Sequence, residues 1–163
     1  MIANRSVTHG TFSIERTYPA SPERVFAAWA IRAEKNVWFG EGDDFLASVD
    51  EYTLDFRVGG RERLAGTSPS GRMFTYDGTF QDIVDDRRIV SAYDVCVDGR
   101  RFSVSLMTIE LAPVPDGTRL VLTEQGAYFD DPEMAKYAPK GQHEGRREGT
   151  EGLMDRLVAA VAR

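Results

Sequence analysis

The sequence predicts an α+β fold: a curved antiparallel sheet of about seven strands under one long C-terminal helix, with two short helices after the first strand. Three observations carry that expectation. Residues 45–126 are a succession of short β-rich runs broken by Gly, Asp and Pro turns, and runs joined by tight turns pair antiparallel. Ser21-Pro22 opens a helical stretch directly after the first alternating run, as a capping hydroxyl followed by proline does. Near the C-terminus a stripe runs through residues 150, 153, 154, 157, 158 and 161, the spacing of one helical face.

Residues 1–8 are expected to be a loose terminus. "HGTFSIERTY" (9–18) alternates, with Phe12, Ile14, Arg16 and Tyr18 on one side and Thr11, Ser13, Glu15 and Thr17 on the other. This is a first strand with one buried face, and Pro19 ends it. A full capping box after Ser21 would place Glu or Gln at position 24, where the chain has Arg24. Val25, Phe26 and Trp29 fall on one helical face, and Phe26 and Trp29 read as core. A second short helix covers about 33–38. Trp38 and Phe39, beside Gly40 and Gly42, then read as part of a mobile loop.

"FLASVDEYTLDFRVGG" (45–60) reads as two short strands, with Gly59-Gly60 turning into "RERLAG". "TSPSG" (67–71) is a turn cluster. "RMFTYDGTFQDIV" (72–84) is a strand, Asp85-Asp86 a turn, and "RRIVSAYDVCV" (87–97) the next strand. Asp98-Gly99 is a two-residue hairpin signal. "RFSVSLMTIEL" (101–111) and "TRLVLTEQG" (118–126) follow. The last helix is expected over 143–162. Gly145, Gly149 and Gly152 lie in its first half, and each weakens a helix by up to ~1 kcal/mol relative to Ala. Such glycines imply a late helix start or a close neighbour. No repeat and no linker divides the chain, so residues 1–163 form a single domain.

At 163 residues, folding buries roughly 70% of the surface that the unfolded chain exposes. A hydrophobic share of 42% with 28% charged residues is that of a soluble globular protein. The net charge of −6 argues against nucleic acid and against an anionic membrane surface. Cys96 is the one cysteine, which excludes an internal disulfide and a cysteine zinc cluster. No signal-like apolar stretch stands at the N-terminus, and no apolar run approaches membrane-spanning length. A cytoplasmic protein is expected. Asn4-Arg5-Ser6 matches a glycosylation sequon, which without a secretion signal reads as chance.

The meander has one apolar face to cover, and Leu153, Met154, Leu157 and Val161 supply the cover. A strongly curved sheet around one helix leaves a gap that bulky residues fill or line. "ERTYPASPERVFAAWA" with Trp38, "FRVGG", "MFTYDGTFQDIVDDRRIVSAY", "MTIELAPVPDGTRLVLTEQG" and "GTEGLMDRLVAAV" together resemble the START-like (SRPBCC) superfamily. Within it they resemble the branch named for the activator of the heat-shock-protein ATPase, over about residues 10–162. The resemblance implies a helix-grip fold, a sheet clasping the C-terminal helix over an internal cavity. Many members of this branch carry the name without co-chaperone activity, so the name implies little about function. Many also have Gly-Trp at the start of the last helix. Here Gly149 is followed by Thr150, and the smaller residue is expected to leave room at the cavity mouth.

Motifs for catalysis are absent. There is no His-Glu-x-x-His, no Gly-x-Gly-x-x-Gly after a strand and no phosphate loop. No cofactor, metal or catalytic residue is therefore assigned. Cys96 lies near Asp94 and Asp98, an environment that does not lower a thiol pKa. The carboxylate pairs Asp43-Asp44, Asp50-Glu51, Asp85-Asp86 and Asp130-Asp131 read as solvated turn residues. A weak metal site among Glu41, Asp43 and Asp44 competes with that, although sequence neighbours alone cannot supply the six oxygens calcium takes.

Glu124 shares its parity with Leu120 and Leu122. Either it points into the cavity, where desolvation raises its pKa, or the strand twists it out to solvent near Gly126. Arg57, Arg61 and Arg63 are its candidate charge partners. The other candidates for lining a ligand site are Trp38 and Phe39 at an entrance, Phe56, then Phe74, Tyr76 and Phe80 around Gly78, whose mid-strand position marks a bend or close approach. Tyr93, Met107, Ile109 and Leu122 continue the lining, and Thr150, Leu153, Met154 and Leu157 supply the helix side. Tyr128, with Phe129, is expected in a loop that closes the far end. The same residues would also make a plain core. The leading expectation is a small apolar or aromatic ligand in this cavity. The alternatives are a cyclase- or hydrolase-like enzyme using Glu124 with a tyrosine, and a chaperone-interacting or regulatory module. A homodimer through a sheet edge or the helix stays open.

Overall fold

A computed structural model describes residues 5–40, 46–132, 134–136 (Met134 by its backbone alone) and 138–162. The elements run β1 (Val7–Tyr18), α1 (Pro22–Ala30), α2 (Arg32–Phe39), β2 (Ser48–Leu54), β3 (Arg61–Thr67), β4 (Met73–Val84), β5 (Arg88–Val97), β6 (Arg100–Val114), β7 (Gly117–Phe129), a 3-10 turn (Met134–Lys136) and α3 (Gln142–Val161). The sheet order is β1-β7-β6-β5-β4-β3-β2, antiparallel throughout. Each strand from β2 to β6 pairs with its successor, and β1 closes on β7. The chain therefore crosses from one sheet edge to the other through α1 and α2. The fold is the helix-grip α+β arrangement, with α3 packed on α1, α2, β1 and β7.

Local chemistry explains most boundaries. Asp98 and Gly99 both have positive φ, 50° and 78°, the primed turn that matches strand twist. Ser21 Oγ accepts the Arg24 backbone N–H at 3.3 Å. Arg24 serves tertiary structure in place of a capping box. Its Nη2 donates to the Ala160 carbonyl, 2.7 Å away on the last turn of α3, and its Nη1 pairs with Glu34. Two further bonds hold α3: the Tyr18 hydroxyl donates to Met154 O at 2.8 Å, and Arg156 Nε donates to Trp38 O at 3.2 Å.

Four expectations are corrected here. β1 begins at Val7, inside the stretch expected to be loose, because Val7 pairs with Phe129. Of the stretch 45–60, the described residues 46–60 contain one strand, β2, rather than two. The chain then leaves the sheet as a turn in which Gly60 N donates to Arg57 O at 2.8 Å. Val158 of the predicted stripe is 44% exposed. The face that meets the protein is Thr150, Met154, Leu157, Ala160 and Val161, and Val158 lies about 100° round the helix from Leu157. Finally, α3 starts at Gln142 and a Cβ on Gly149 would meet nothing within 4 Å, so neither a late start nor a close neighbour accounts for that glycine.

One core cluster joins β1, α1, the end of α2, β4 to β7 and α3, with Ile109, Leu120, Leu122 and Leu157 fully buried. A second gathers Tyr52, Leu64, Tyr76, Tyr93 and Val95. Phe39, Leu54 and Met107 pack against both, and the space between the clusters is where the site lies. Among the described residues no helix is long and apolar enough to cross a membrane.

Candidate functional site

Where the concave face of the sheet meets the middle of α3, the two surfaces leave a cavity of about 40 Å³. That is room for one or two waters, well below the roughly 300–1,000 Å³ of a typical ligand pocket. Its wall holds Trp38, Phe39, Tyr76, Tyr93, Met107, Leu122, Glu124, Thr150, Leu153 and Met154, together with Trp29 and Lys35, which the sequence reading placed elsewhere or passed over. Phe80, Ile109 and Leu157 are buried in the adjoining core. Phe56 lies in the turn after β2, edge-on to Phe26 and Phe80 at 5.5 and 5.0 Å. Phe74 borders the second cluster.

Trp38 and Phe39 form the last turn of α2 rather than a loop. Trp38 is 1% exposed; its indole N–H donates to Ala28 O at 3.0 Å, and its ring meets Trp29 at 4.7 Å. A side chain held that way is no gate. Tyr128 and Phe129 end β7 rather than lying in a loop. Glu41, Asp43 and Asp44 lie outside the described residues, and among those described no group of three or more His, Cys, Asp or Glu could hold a metal. Two carboxylate pairs are not solvated turns. Asp50 and Glu51 sit in β2, and Asp131 is buried 3.1 Å from Arg100 Nη1. Burial, and then Asp94, push the Cys96 thiol up.

The first polar centre is built on Glu124. β7 keeps its alternation past Leu122, so Glu124 faces inward and is 1% exposed. Its Oε1 accepts the Tyr93 hydroxyl. Its Oε2 has no hydrogen-bond partner and stands 3.9 Å from Arg146 Nη1. Burial raises the Glu124 pKa, against the opposing pull of Arg146, Tyr93 and His143. Arg146, from the first turns of α3, donates to Tyr93 Oη at 2.9 Å, Ser105 Oγ at 3.3 Å and Ser103 Oγ at 2.6 Å. The partner of Glu124 is thus Arg146, not Arg57, Arg61 or Arg63. Arg57 binds Asp55, Arg63 binds Glu51 and Asp77, and Arg61 is exposed. On β3 Arg61 and Arg63 are more exposed while Glu62 and Leu64 face in.

The second centre was missed. Lys35 and Glu62 are each 2% exposed. Lys35 Nζ lies 2.8 Å from Glu62 Oε1 and 2.7 Å from Oε2, and the Tyr52 hydroxyl donates to Oε2 at 2.6 Å. The ammonium also lies over the Phe39 and Trp29 rings, at 4.9 and 5.3 Å, where ring quadrupoles attract a cation. Burial, with Glu62 beside it, pushes the Tyr52 pKa well above the usual tyrosine range. Two signals could have found this centre. Glu62 shares the inward parity of Leu64, and Lys35 shares a helical face with Trp38 and Phe39 at i+3 and i+4.

Tyr76 stands between the centres, its pKa raised by burial and then by Glu62, Tyr93 and Glu124. Its ring stacks on Tyr93 at 4.5 Å. Both close over Gly78, where a Cβ would come 3.3 Å from the Tyr76 ring, which is the close approach expected there. Thr150 donates to Arg146 O at 2.9 Å. A larger hollow of about 430 Å³ opens at the start of α3, bounded in part by Asp130, Lys140, Gln142 and His143. Inside that end, the His143 ring lies on Gly10 and the Tyr128 ring on Gly126, glycines paired across β1 and β7.

A family model described as Activator of Hsp90 ATPase homolog 1-like protein matches residues 19–162. Among solved structures, Mll3558 from Rhizobium loti is 46% identical with a TM-score of 0.80, and the match covers 95% of this chain and 99% of that one. A protein from Rhizobium leguminosarum is 35% identical with a TM-score of 0.85, and 98% of each chain is covered. The AHSA1-like protein from Aeromonas hydrophila, 21% identical with a TM-score of 0.67 over 94% of this chain and 92% of that one, shares the fold. No curated protein matches the chain.

Proposed function

The chain belongs to the family of Activator of Hsp90 ATPase homolog 1-like proteins, and from that premise we propose that it binds a small molecule between the sheet and α3. The ligand has an apolar or aromatic body and a hydrogen-bond-donating end. The observation that carries this reading is Glu124 Oε2, a buried carboxylate oxygen of a cavity-lining residue with no hydrogen bond on it. A buried acceptor left unmet costs about 1–3 kcal/mol, so such an atom marks where a water or a ligand group belongs. The wall around it is otherwise mostly aromatic rings, Leu and Met, which suits an apolar body.

At about 40 Å³ the cavity is too small for a ring. Binding therefore displaces the half-buried side chains of its wall, Phe39, Met107 and Leu153. Burial of ligand surface drives this at roughly 25 cal/mol per Å² before ordering costs. The net charge of −6 supports a protein that engages neither nucleic acid nor an anionic membrane, and the cytoplasm is the setting that fits. An interaction module would need a contiguous apolar patch. The exposed large apolar side chains, among the described residues, are scattered over β1, β4, β6, α3 and the connections, with Met73 and Val84 at opposite ends of β4 and only Val104 and Leu106 adjacent on one face, that of β6.

The test is thermal melting against a panel of small aromatic alcohols and amines. The melting temperature rises with ligand concentration for members that fit, and Glu124→Gln reduces the rise. If no member raises it and none perturbs the amide signals of cavity residues, the reading is wrong.

A further inference from the structure

The reading above uses one polar end of the cavity, and the cavity has a second. Lys35 is part of its wall. An ammonium has three N–H donors, and the two Glu62 oxygens stand at 2.8 and 2.7 Å from Nζ. The third donor is left to the rings around it, Phe39, Trp29 and Trp38 at 4.9, 5.3 and 6.0 Å, which also line the cavity. Glu124 Oε2 offers an acceptor with no donor on it. Tyr76 lies between, in electrostatic reach of both Glu62 and Glu124. The charges of the two ends also balance. Lys35 is matched by Glu62, and Glu124 by Arg146. An ionic ligand would be buried with no charge left to meet it, which is strongly unfavourable.

We propose that the cavity reads a neutral aromatic molecule from both ends, taking a carbonyl oxygen on the Lys35 ammonium and a hydroxyl on the Glu124 carboxylate. Hydroxyaryl ketones have that chemistry. This rests on the ligand-binding reading and adds to it the two ends and the neutrality.

Five compounds of nearly one size separate the claims: 4-hydroxyacetophenone with both groups, acetophenone with the carbonyl, 4-ethylphenol with the hydroxyl, ethylbenzene with neither, and 4-hydroxybenzoate with a charge. The full chain is titrated with each at pH 6.5, above the ordinary carboxyl range and low enough that the acyl-substituted phenol of the ketone keeps its proton, by calorimetry and amide NMR. Each polar end adds about fivefold in affinity, so 4-hydroxyacetophenone binds roughly 25-fold tighter than ethylbenzene. 4-Hydroxybenzoate binds more weakly than the ketone. Glu124→Met removes the hydroxyl advantage and leaves that of the carbonyl. Lys35→Met with Glu62→Gln, which removes the charged pair together, does the reverse. Should that double variant not fold, the wild-type Lys35 Nζ signal decides, since acetophenone shifts it and ethylbenzene does not. Binding of all five with equal affinity, or a tighter benzoate, overturns the two-ended proposal and leaves an apolar binding protein. Binding of none overturns both.

Discussion

Glu124 lines the cavity and Glu62 is joined to it through Lys35; each is buried, each is bonded to a tyrosine and each faces a cation, yet they are met to different degrees. Glu62 has Lys35 at 2.7–2.8 Å and Tyr52 at 2.6 Å. Glu124 has Tyr93 on one oxygen, while the other stands 3.9 Å from Arg146 with no hydrogen bond. Arg146 directs its short bonds to Ser103 and Tyr93 instead. A buried pair whose charges are compensated in place ties α2 to β3 and leaves only the third ammonium N–H for a ligand. A carboxylate whose cation is held slightly off by other partners keeps capacity for a visitor. The difference is the one between an ion pair closed on itself, which contributes mainly to folding, and one arranged around an open position.

Three experiments bear on that contrast. The largest effect belongs to the closed pair. Lys35→Met leaves Glu62 charged and buried with only Tyr52, and the expected loss is about 3–5 kcal/mol in urea denaturation. Adding Glu62→Gln restores most of it. A loss no larger than that of a surface substitution would mean Glu62 is hydrated, and the contrast would fall.

Arg146→Met comes next, with an expected loss of about 2 kcal/mol at pH 7. It is smaller because Glu124, its pKa already raised by burial, escapes the unpaired state by taking up a proton. For the same reason the loss shrinks as pH falls toward 5. A pH-independent loss as large as that of Lys35→Met would make the two centres equivalent.

The smallest effect is a slope. The folded Glu124 pKa is raised above its unfolded value, so between the two the native state binds more protons than the unfolded chain. Its contribution is fully present below the ordinary carboxyl value, about 4.5, and is lost as pH rises through the folded pKa. Glu124→Gln has no such term. Measured from pH 4 to 8, its stability should gain on the wild type as pH rises above about 4.5. A constant difference across the range would place Glu124 in water.

Several parts of this arrangement were legible along the chain. The Ser21-Pro22 start, the Asp98-Gly99 turn and the alternation of β4 to β7 are set by neighbours within a few residues, and the structure holds all of them. Trp38 was misplaced because flanking glycines read as a loop, whereas packing on Trp29 and a bond to Ala28 carry the helix through it. Glu62 was passed over because Arg61 and Arg63 make its run look solvated, although its parity with Leu64 pointed inward. Glu124 was undecided for a different reason. Its side depends on β1 pairing along β7 as far as Phe129 and on α3 lying across that end.

The amino-acid sequence by itself determined the order and type of most of the elements, the primed turn at Asp98-Gly99 and most of the side chains that face inward, because periodicity and turn chemistry act over a few residues. Only the tertiary structure decided that Arg146 rather than a β3 arginine faces Glu124, that Lys35 is buried on Glu62, and that about 40 Å³ is left between sheet and helix. Those outcomes depend on how far the sheet curves and where α3 crosses it, which are sums over contacts between residues distant in the chain.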